Sequence, residues 1–153
     1  NLKSKLKIRI HQDIYGWRIK QRFSNLGYKD KLEDSSSISF NKSINNSLIS
    51  ICTFNSTTFL ETLSANVPTL IFFSSKRYLI RDEAKPMFEK LKKAKIFFET
   101  PDNLAKHLND IHLDIYNWWN QHEIQSIKNE FCYNYARKSE DWIDKWTYLF
   151  KTV

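Results

Sequence analysis

A polar turn between a buried strand and a helix carries the residues best suited to chemistry in this sequence. Residues 47–54 read as a buried strand, and an amide and three hydroxyls follow it directly: Asn55, Ser56, Thr57 and Thr58. In an open parallel sheet, ligands bind at the carboxyl ends of the strands, where helix N-termini present free N–H groups. These side chains could hydrogen-bond phosphate oxygens, and Glu61, one turn along, could accept from ribose hydroxyls.

The same turn has a structural alternative. Thr58 followed three residues later by Glu61 fits the capping box, in which Thr caps the helix and Glu reaches back to a backbone N–H. The two interpretations are compatible, because a capped helix can still face a ligand.

A second polar stretch follows the alternating segment 5–10, which has the period of a half-buried strand. Arg9 could pair with a phosphate or with an acid. His11 is either a solvated loop residue or an acid/base group, and Asp13 either binds the donor or caps the next helix. Trp17 is either a core residue or a stacking platform. This loop could face the same crevice as residues 55–58.

The elements that must position these residues alternate over the first hundred positions. We predict strands at 5–10, 47–54, 69–73 and 96–98, with helices at 14–26, 40–48, 58–66 and 81–93 between them. After Pro101 only helical periods follow, at 102–111, 115–121, 124–136 and 140–150. The sequence therefore predicts an α/β fold, a Rossmann-like parallel sheet flanked by helices with a helical C-terminal third, as one domain over residues 1–153.

Composition excludes several site classes. With only two glycines, Gly16 and Gly27, neither a P-loop nor a dinucleotide fingerprint can be written. Cys52 and Cys132 belong to no metal-ligand pattern, and two free buried thiols in a reducing compartment are expected. We expect no metal and no cofactor. The other histidines, His107, His112 and His122, are expected on helix surfaces. With no signal peptide or membrane span visible, we expect a cytoplasmic protein, with the inner membrane face as an alternative location.

The net charge of +7 is concentrated at the N-terminal end. Residues 1–31 hold nine Lys or Arg and two acids, while the remainder is balanced. Nucleic acid, anionic lipid and phosphorylated small molecules are candidate partners for such a segment, and a solvated basic face is the alternative. A basic nucleic-acid-binding or interaction module is therefore a second function to weigh, although no nucleic-acid-binding motif is present and nucleic acid is not the favoured partner.

The C-terminal helices carry an aromatic stripe. Trp142, Trp146 and Phe150 recur at intervals of four. We expect this stripe to pack on the sheet; the alternative is that part of it covers a neighbouring domain.

Together these segments resemble a known family. The residues that carry the resemblance are Arg9…Asp13-x-x-Gly16-Trp17, then Asn55-Ser56-Thr57-Thr58-Phe59-Leu60-Glu61-Thr62-Leu63-x-x-Asn66-x-Pro68-Thr69, then Trp118-Trp119. They are similar to the C-terminal part of bacterial O-antigen or surface-polysaccharide transferases, which look like distant relatives of GT-B glycosyltransferases and capsule-type Kdo transferases.

The resemblance implies the donor-binding half of a nucleotide-sugar-dependent transferase. Ser56, Thr57 and Thr58 would face donor phosphates, and Glu61 would contact the ribose or the sugar. The resemblance implies no metal, an anionic or lipid-linked acceptor, and an N-terminal domain outside this chain that supplies the acceptor site. The catalytic residues are therefore not assigned, and we do not expect catalysis by this chain alone.

Overall fold

The structure is a computed structural model that describes residues 6–11 and 16–152. Its internal contacts divide the chain into two compact units, residues 1–47 and 48–153. The single domain over residues 1–153 stays a prediction.

The first unit is built on short elements. Helices α1 (Ile19–Asn25) and α2 (Phe40–Asn45) are joined through a 3₁₀ turn at Lys29–Lys31. In the described part of segment 5–10, the predicted strand is reduced to one parallel bridge, in which Ile8 pairs with Leu32. The helix predicted from residue 14 begins only at Ile19.

Backbone conformation explains the late start of α1. Gly16 and Arg18 have φ values of 73° and 50°, in the left-handed region, which a right-handed helix cannot contain. Positions 14 and 15 of the predicted helix lie outside the described residues.

The second unit contains the sheet. Strands β1 (Ser50–Cys52), β2 (Thr69–Phe72) and β3 (Phe97–Phe98) are parallel, in the order β1-β2-β3. The crossovers carry α3 (Thr57–Ser64) and α4 (Lys85–Lys93), the latter preceded by a 3₁₀ turn at Asp82–Ala84. Ile51 lies opposite Leu70, and Ile71 opposite Phe97. The α/β class with a parallel sheet between helices is confirmed, although the sheet is smaller than in large doubly wound folds.

Helices complete the second unit after the sheet. They are α5 (Pro101–Ile111), α6 (Ile115–Trp119), α7 (His122–Tyr135) and α8 (Trp142–Thr152), which confirms the helical C-terminal third. Helix α7 packs on α3 and α4, and α5 packs on β2 and β3. Helices α3 and α5 both contact β2, so the side chains of this central strand from Thr69 to Ile71 are fully enclosed.

Phenylalanine rings fill the core between the sheet and the helices. The centre of the Phe88 ring lies 5.2 Å from that of Phe97 and 5.9 Å from those of Phe73 and Phe131, with the ring planes inclined by 66–88°. Edge-to-face pairs of this kind contribute roughly 0.5–1.5 kcal/mol beyond the burial of their surface. Large rings therefore fill a small core without disulfides.

Three helices end in the same left-handed turn. Gly27 after α1, Asn66 after α3 and Lys95 after α4 have φ values of 83°, 56° and 56°. In each turn this residue donates to the helix three residues back, and the next residue donates five residues back, as in a Schellman motif. Glycine normally occupies such a position, but in this glycine-poor chain Asn and Lys hold the two turns that lead into β2 and β3.

The Asn66 turn is held from outside by two C-terminal helices. Trp119 Nε1 donates to the main-chain and side-chain oxygens of Asn66, each at 3.2 Å. Lys128 Nζ donates to Asn66 Oδ1 at 2.9 Å, although its side chain is buried. Burial lowers the pKa of this ammonium because the charged form loses its hydration. Two members of the family motif, Asn66 and Trp119, are thus in direct contact.

One histidine expected on a helix surface is buried instead. His107 on α5 is only 5% exposed, between the rings of Phe98 at 5.5 Å and Trp118 at 5.1 Å. Desolvation, with a smaller effect from the Lys95 charge, holds the pKa of His107 below its usual value near 6.5, and Asp110 opposes this. The folded protein therefore favours the neutral ring.

The C-terminal aromatic stripe does not pack on the sheet. Trp142, Trp146 and Phe150 are each more than half exposed, and α8 has no buried residue. The prediction that this stripe lies on the sheet is wrong. Helical spacing places these side chains on one face, but spacing does not say what covers that face.

The Lys95 turn gives the first stability prediction. A residue with a Cβ destabilises the folded state by roughly 1–2 kcal/mol when it adopts the left-handed conformation. Glycine avoids this cost, and the extra conformational entropy that it gives the unfolded chain offsets only part of the gain in stability. We expect Lys95→Gly to raise the free energy of unfolding by about 1 kcal/mol in urea titrations. Lys93→Gly, inside the last turn of α4, should lower it by about 1 kcal/mol. A loss of stability in Lys95→Gly would contradict the role assigned to this turn.

The buried imidazole gives the second prediction. Below a pH of about 6.5 the unfolded chain protonates His107 while the folded chain does not, so unfolding becomes more favourable as the pH falls. Each unit by which folding depresses the pKa corresponds to a loss of about 1.4 kcal/mol. The free energy of unfolding, measured between pH 5 and 8, should therefore decrease as the pH falls; this range brackets the ordinary pKa of histidine.

Matched variants separate His107 from the other titrating groups. His107→Phe should flatten the acid side of the stability profile, because its ring cannot be protonated. His122→Gln changes an exposed histidine on α7 and should retain the slope. Equal slopes in wild type and His107→Phe would show that another group is responsible.

Candidate functional site

The polar turn after β1 forms the start of α3, as the sequence predicted. Ser56 is the N-cap; its Oγ accepts from the Thr58 N–H at 3.5 Å and its hydroxyl donates to Thr58 Oγ1 at 3.2 Å. The capping box with Thr58 as the cap is therefore wrong. Because the helix begins two residues earlier than that cap implies, Glu61 lies too far along α3 to close the box, and its side chain is exposed.

The start of α3 leaves donors for a ligand. The N–H groups of Thr57 and Phe59 have no acceptor within the helix, as at any helix start. Thr57 is exposed, and Asn55 and Thr58 are half-buried. Thr57 and Glu61 are four residues apart and share one face of α3. The structure thus brings together Asn55–Thr58, with Glu61 one turn along.

A second loop meets this turn at the carboxyl edge of the sheet. β2 lies beside β1 and is followed by Ser74, Ser75, Lys76 and Arg77, a set that the sequence analysis did not select. The ring of Tyr78, at the end of this loop, contacts Phe54 edge to face at 5.1 Å. The loop that carries these two hydroxyls and two cations therefore follows β2 at the same edge of the sheet as the start of α3.

The sequence contained a signal that could have identified residues 74–77 as part of the candidate site, namely their position directly after a predicted parallel strand. The carboxyl ends of parallel strands meet at one edge, so the segment after β2 had to approach residues 55–58.

Lys76 and Arg77 are exposed, and within residues 6–11 and 16–152 neither forms an ion pair.

A carboxylate after β3 anchors the same loop. Glu99 accepts hydrogen bonds from Lys92 Nζ at 2.6 Å and from Ser75 Oγ. The Lys92 hydrogen bond, followed by that of Ser75, holds the pKa of Glu99 below its ordinary value, and Glu99 in turn raises the pKa of Lys92. The charge of Lys92 is thus matched by Glu99.

The predicted residues of the N-terminal stretch lie in the first unit. Arg9 Nη1 donates to Glu33 Oε2 at 2.9 Å and to the Ile38 carbonyl at 2.8 Å, and its guanidinium lies 5.9 Å from the centre of the Phe40 ring. Of the two roles weighed for Arg9, pairing with an acid is the one that the structure contains. A role of Arg9 in donor binding stays a prediction.

The remaining candidates of that stretch are less defined. Trp17 is 63% exposed and is therefore not a core residue. His11 is exposed, and Asp13 lies outside the described residues. A stacking role for Trp17, an acid/base role for His11 and donor binding by Asp13 all stay predictions.

The cysteines and possible metal ligands add no reactive group. Cys52 is buried and Cys132 half-buried, both are free thiols, and burial raises the pKa of each. In the described ranges, no group of three or more His, Cys, Asp or Glu side chains could hold a metal ion. No helix among those described is long and apolar enough to cross a membrane.

Comparison with known proteins identifies the family. No curated protein and no solved structure matches the chain. The model of one family, described as LIC12162 family transferase, matches residues 1–150. This match spans both units and includes the turn at residues 55–58 as well as the loop at 74–77. The chain therefore belongs to the LIC12162 family of transferases.

Proposed function

We propose that this transferase uses a nucleotide-sugar donor and binds the donor phosphates at the carboxyl edge of the sheet. The observation that carries the proposal is that the α3 start and the loop with Lys76 and Arg77 follow neighbouring parallel strands at one edge of the sheet, where Phe54 contacts Tyr78. A helix start and two cations match a diphosphate in charge and in hydrogen-bonding capacity.

Each part of the edge has a role in this proposal. The N–H groups of Thr57 and Phe59 and the hydroxyls of the turn donate to phosphate oxygens. Lys76 and Arg77 neutralise the phosphate charge, and Arg77 can do so with two parallel hydrogen bonds. Glu61 accepts from the ribose or sugar hydroxyls.

The proposed reaction is displacement at the anomeric carbon of the sugar. The bond from that carbon to the phosphate oxygen breaks, and its electron pair stays on the departing nucleotide. An acceptor hydroxyl oxygen forms the new bond and loses its proton to a base. Charge grows on the leaving phosphate, so donors and cations positioned there stabilise the transition state more than the ground state.

The resemblance of the motifs extends the proposal to the pathway. A role in surface-polysaccharide synthesis and a GT-B arrangement, with the acceptor site on another domain, agree with membership in a transferase family. In this arrangement the chain is the donor-binding half, and the acceptor is anionic or lipid-linked.

Nucleotide titration tests the donor site. With CMP, UDP, GDP and CDP added to the isotopically labelled chain, at least one should shift the backbone amides of residues 55–61 and 74–77. Arg77→Gln should weaken that nucleotide about tenfold, since a charge-assisted hydrogen bond contributes roughly 1.5 kcal/mol. Ser56→Gly should weaken binding less and cost only a few tenths of a kcal/mol in stability, because glycine is an acceptable N-cap.

The matched control is another exposed cation of the second unit. Lys138→Gln removes one positive charge outside the sheet edge and should leave the nucleotide affinity within twofold. If none of the four nucleotides perturbs residues 55–61, the donor-site assignment is wrong. If Arg77→Gln and Lys138→Gln lose nucleotide affinity equally, the loss comes from the change in net charge and not from a contact of Arg77.

A further inference from the structure

A cavity beside α5 has the features of a second binding site. It has a volume of about 480 Å³ and lies between β3 and the face of α5 that carries Asn103, Lys106, His107 and Asp110. Thr100, Asn103, Lys106 and His107 contribute to its wall from α5 and its N-cap, and Lys95 contributes from the turn after α4. None of these residues belongs to the proposed donor site.

His107 is the residue of this wall whose polar atoms lack hydrogen-bond partners among the described residues. Its side chain is buried, and both ring nitrogens are enclosed without a hydrogen-bond partner in the described part of the chain. A buried polar group left unpaired costs roughly 1–3 kcal/mol, so native structures rarely keep one without a use. The neutral ring offers one N–H donor and one acceptor.

His107, Lys95 and Asp110 also line a neighbouring cavity of about 450 Å³. The histidine thus stands in the wall that two cavities share. The rings of Phe98 and Trp118 pack against the imidazole, and no polar atom of the described residues lies within hydrogen-bond distance of its nitrogens.

The charges around the first cavity favour an anion. Lys95 and Lys106 form no ion pair within the described ranges, whereas the charge of Lys92 in the same wall is matched by Glu99. Two acids also line this wall, Glu99, which is paired with Lys92, and Asp110; Asp102 lies in the first turn of α5. The left-handed turn fixes the main chain at Lys95, so one of the two free cations is presented by a rigid segment.

The helix start in this wall is open as well. The Thr100 side chain makes no capping hydrogen bond at the beginning of α5, and Pro101 occupies its first turn. The N–H groups of Asp102 and Asn103 have no acceptor within the helix. An eleven-residue helix with an uncapped N-terminus presents its positive dipole end to the cavity.

We propose that this cavity binds a phosphate group, held by Lys95, Lys106 and the N-terminus of α5, and that the buried His107 ring turns toward the bound phosphate to donate its N–H. The phosphate belongs to a small phosphate monoester or is free inorganic phosphate. The proposal stands on the orphaned imidazole, the two free lysines and the uncapped helix, and it is independent of the nucleotide site.

Titration at pH 7.5 and constant ionic strength tests the proposal. Inorganic phosphate and glycerol 3-phosphate are added separately to the labelled chain, and amide and histidine ring nitrogen signals are followed. We expect saturable shifts at residues 100–107 and at the His107 ring. Tighter binding of glycerol 3-phosphate identifies a monoester site, and tighter binding of phosphate identifies a free-phosphate site. If neither probe gives saturable shifts there, the proposal is overturned.

Variants separate binding from folding. Lys95→Gly and Lys106→Gln should each weaken the better probe at least fivefold, although the first should make the fold more stable. His107→Phe removes the unpaired nitrogens, so it should raise the melting temperature while weakening the probe. Unchanged affinity in all three variants would overturn the proposal.

Two controls keep the sites apart. Lys138→Gln, which removes an exposed charge elsewhere, should leave phosphate binding within twofold. Arg77→Gln should also leave it unchanged, although it weakens the nucleotide. Loss of phosphate binding in Arg77→Gln, with no loss in Lys95→Gly, would place the phosphate at the sheet edge and refute the second site.

Discussion

The left-handed turn at Asn66 is the constraint on which the second unit depends. It ends α3 and, through Val67 and Pro68, sets the direction in which β2 starts. Trp119 and Lys128 hold its amide oxygen from α6 and α7, so the helical C-terminal third fixes the central strand. Because β2 carries the register of both neighbouring strands, the turn also determines where the carboxyl edge of the sheet lies.

The polar edge of the sheet follows from this arrangement. With the strands aligned, the segments after β1, β2 and β3 meet, and their side chains contact one another through Phe54 and Tyr78 and through Ser75 and Glu99. Glu99 is matched by Lys92, whereas Lys76 and Arg77 are not matched in the described ranges. An edge with open helix N–H groups and unmatched cations suits a phosphate-bearing substrate, in agreement with membership in a transferase family.

The scarcity of glycine explains both a weakness and a feature of the fold. Without glycine, the chain places Asn66 and Lys95 in left-handed conformations that cost stability. Asn66 uses its side chain to bind the surrounding helices, whereas Lys95 lines the cavity beside α5. The unpaired His107 in the same wall is a second local cost, and two such costs at one place suggest a function there rather than a requirement of packing.

Several features were predictable from the sequence alone. Hydrophobic periodicity located the helices and strands of the second unit. A helix that buries one face repeats its apolar residues every 3.6 positions, and a strand that buries one face repeats them every 2 positions. The run from Asn55 to Thr58 after a buried strand predicted the polar start of α3, and the glycine count excluded glycine-rich phosphate loops. These are local properties, and they depend on neighbours a few residues away.

Other features were decided only by tertiary structure. The cap at Ser56 rather than Thr58, the burial of His107 and the exposure of the α8 stripe depend on which surfaces meet, and periodicity does not specify a partner surface. Arg9 lies against Glu33, a residue 24 positions away, and Lys128 reaches Asn66 across 62 positions. The sequence by itself determined which segments become helix or strand, whereas long-range packing decided which polar groups are paired within the described part of the protein and which are not.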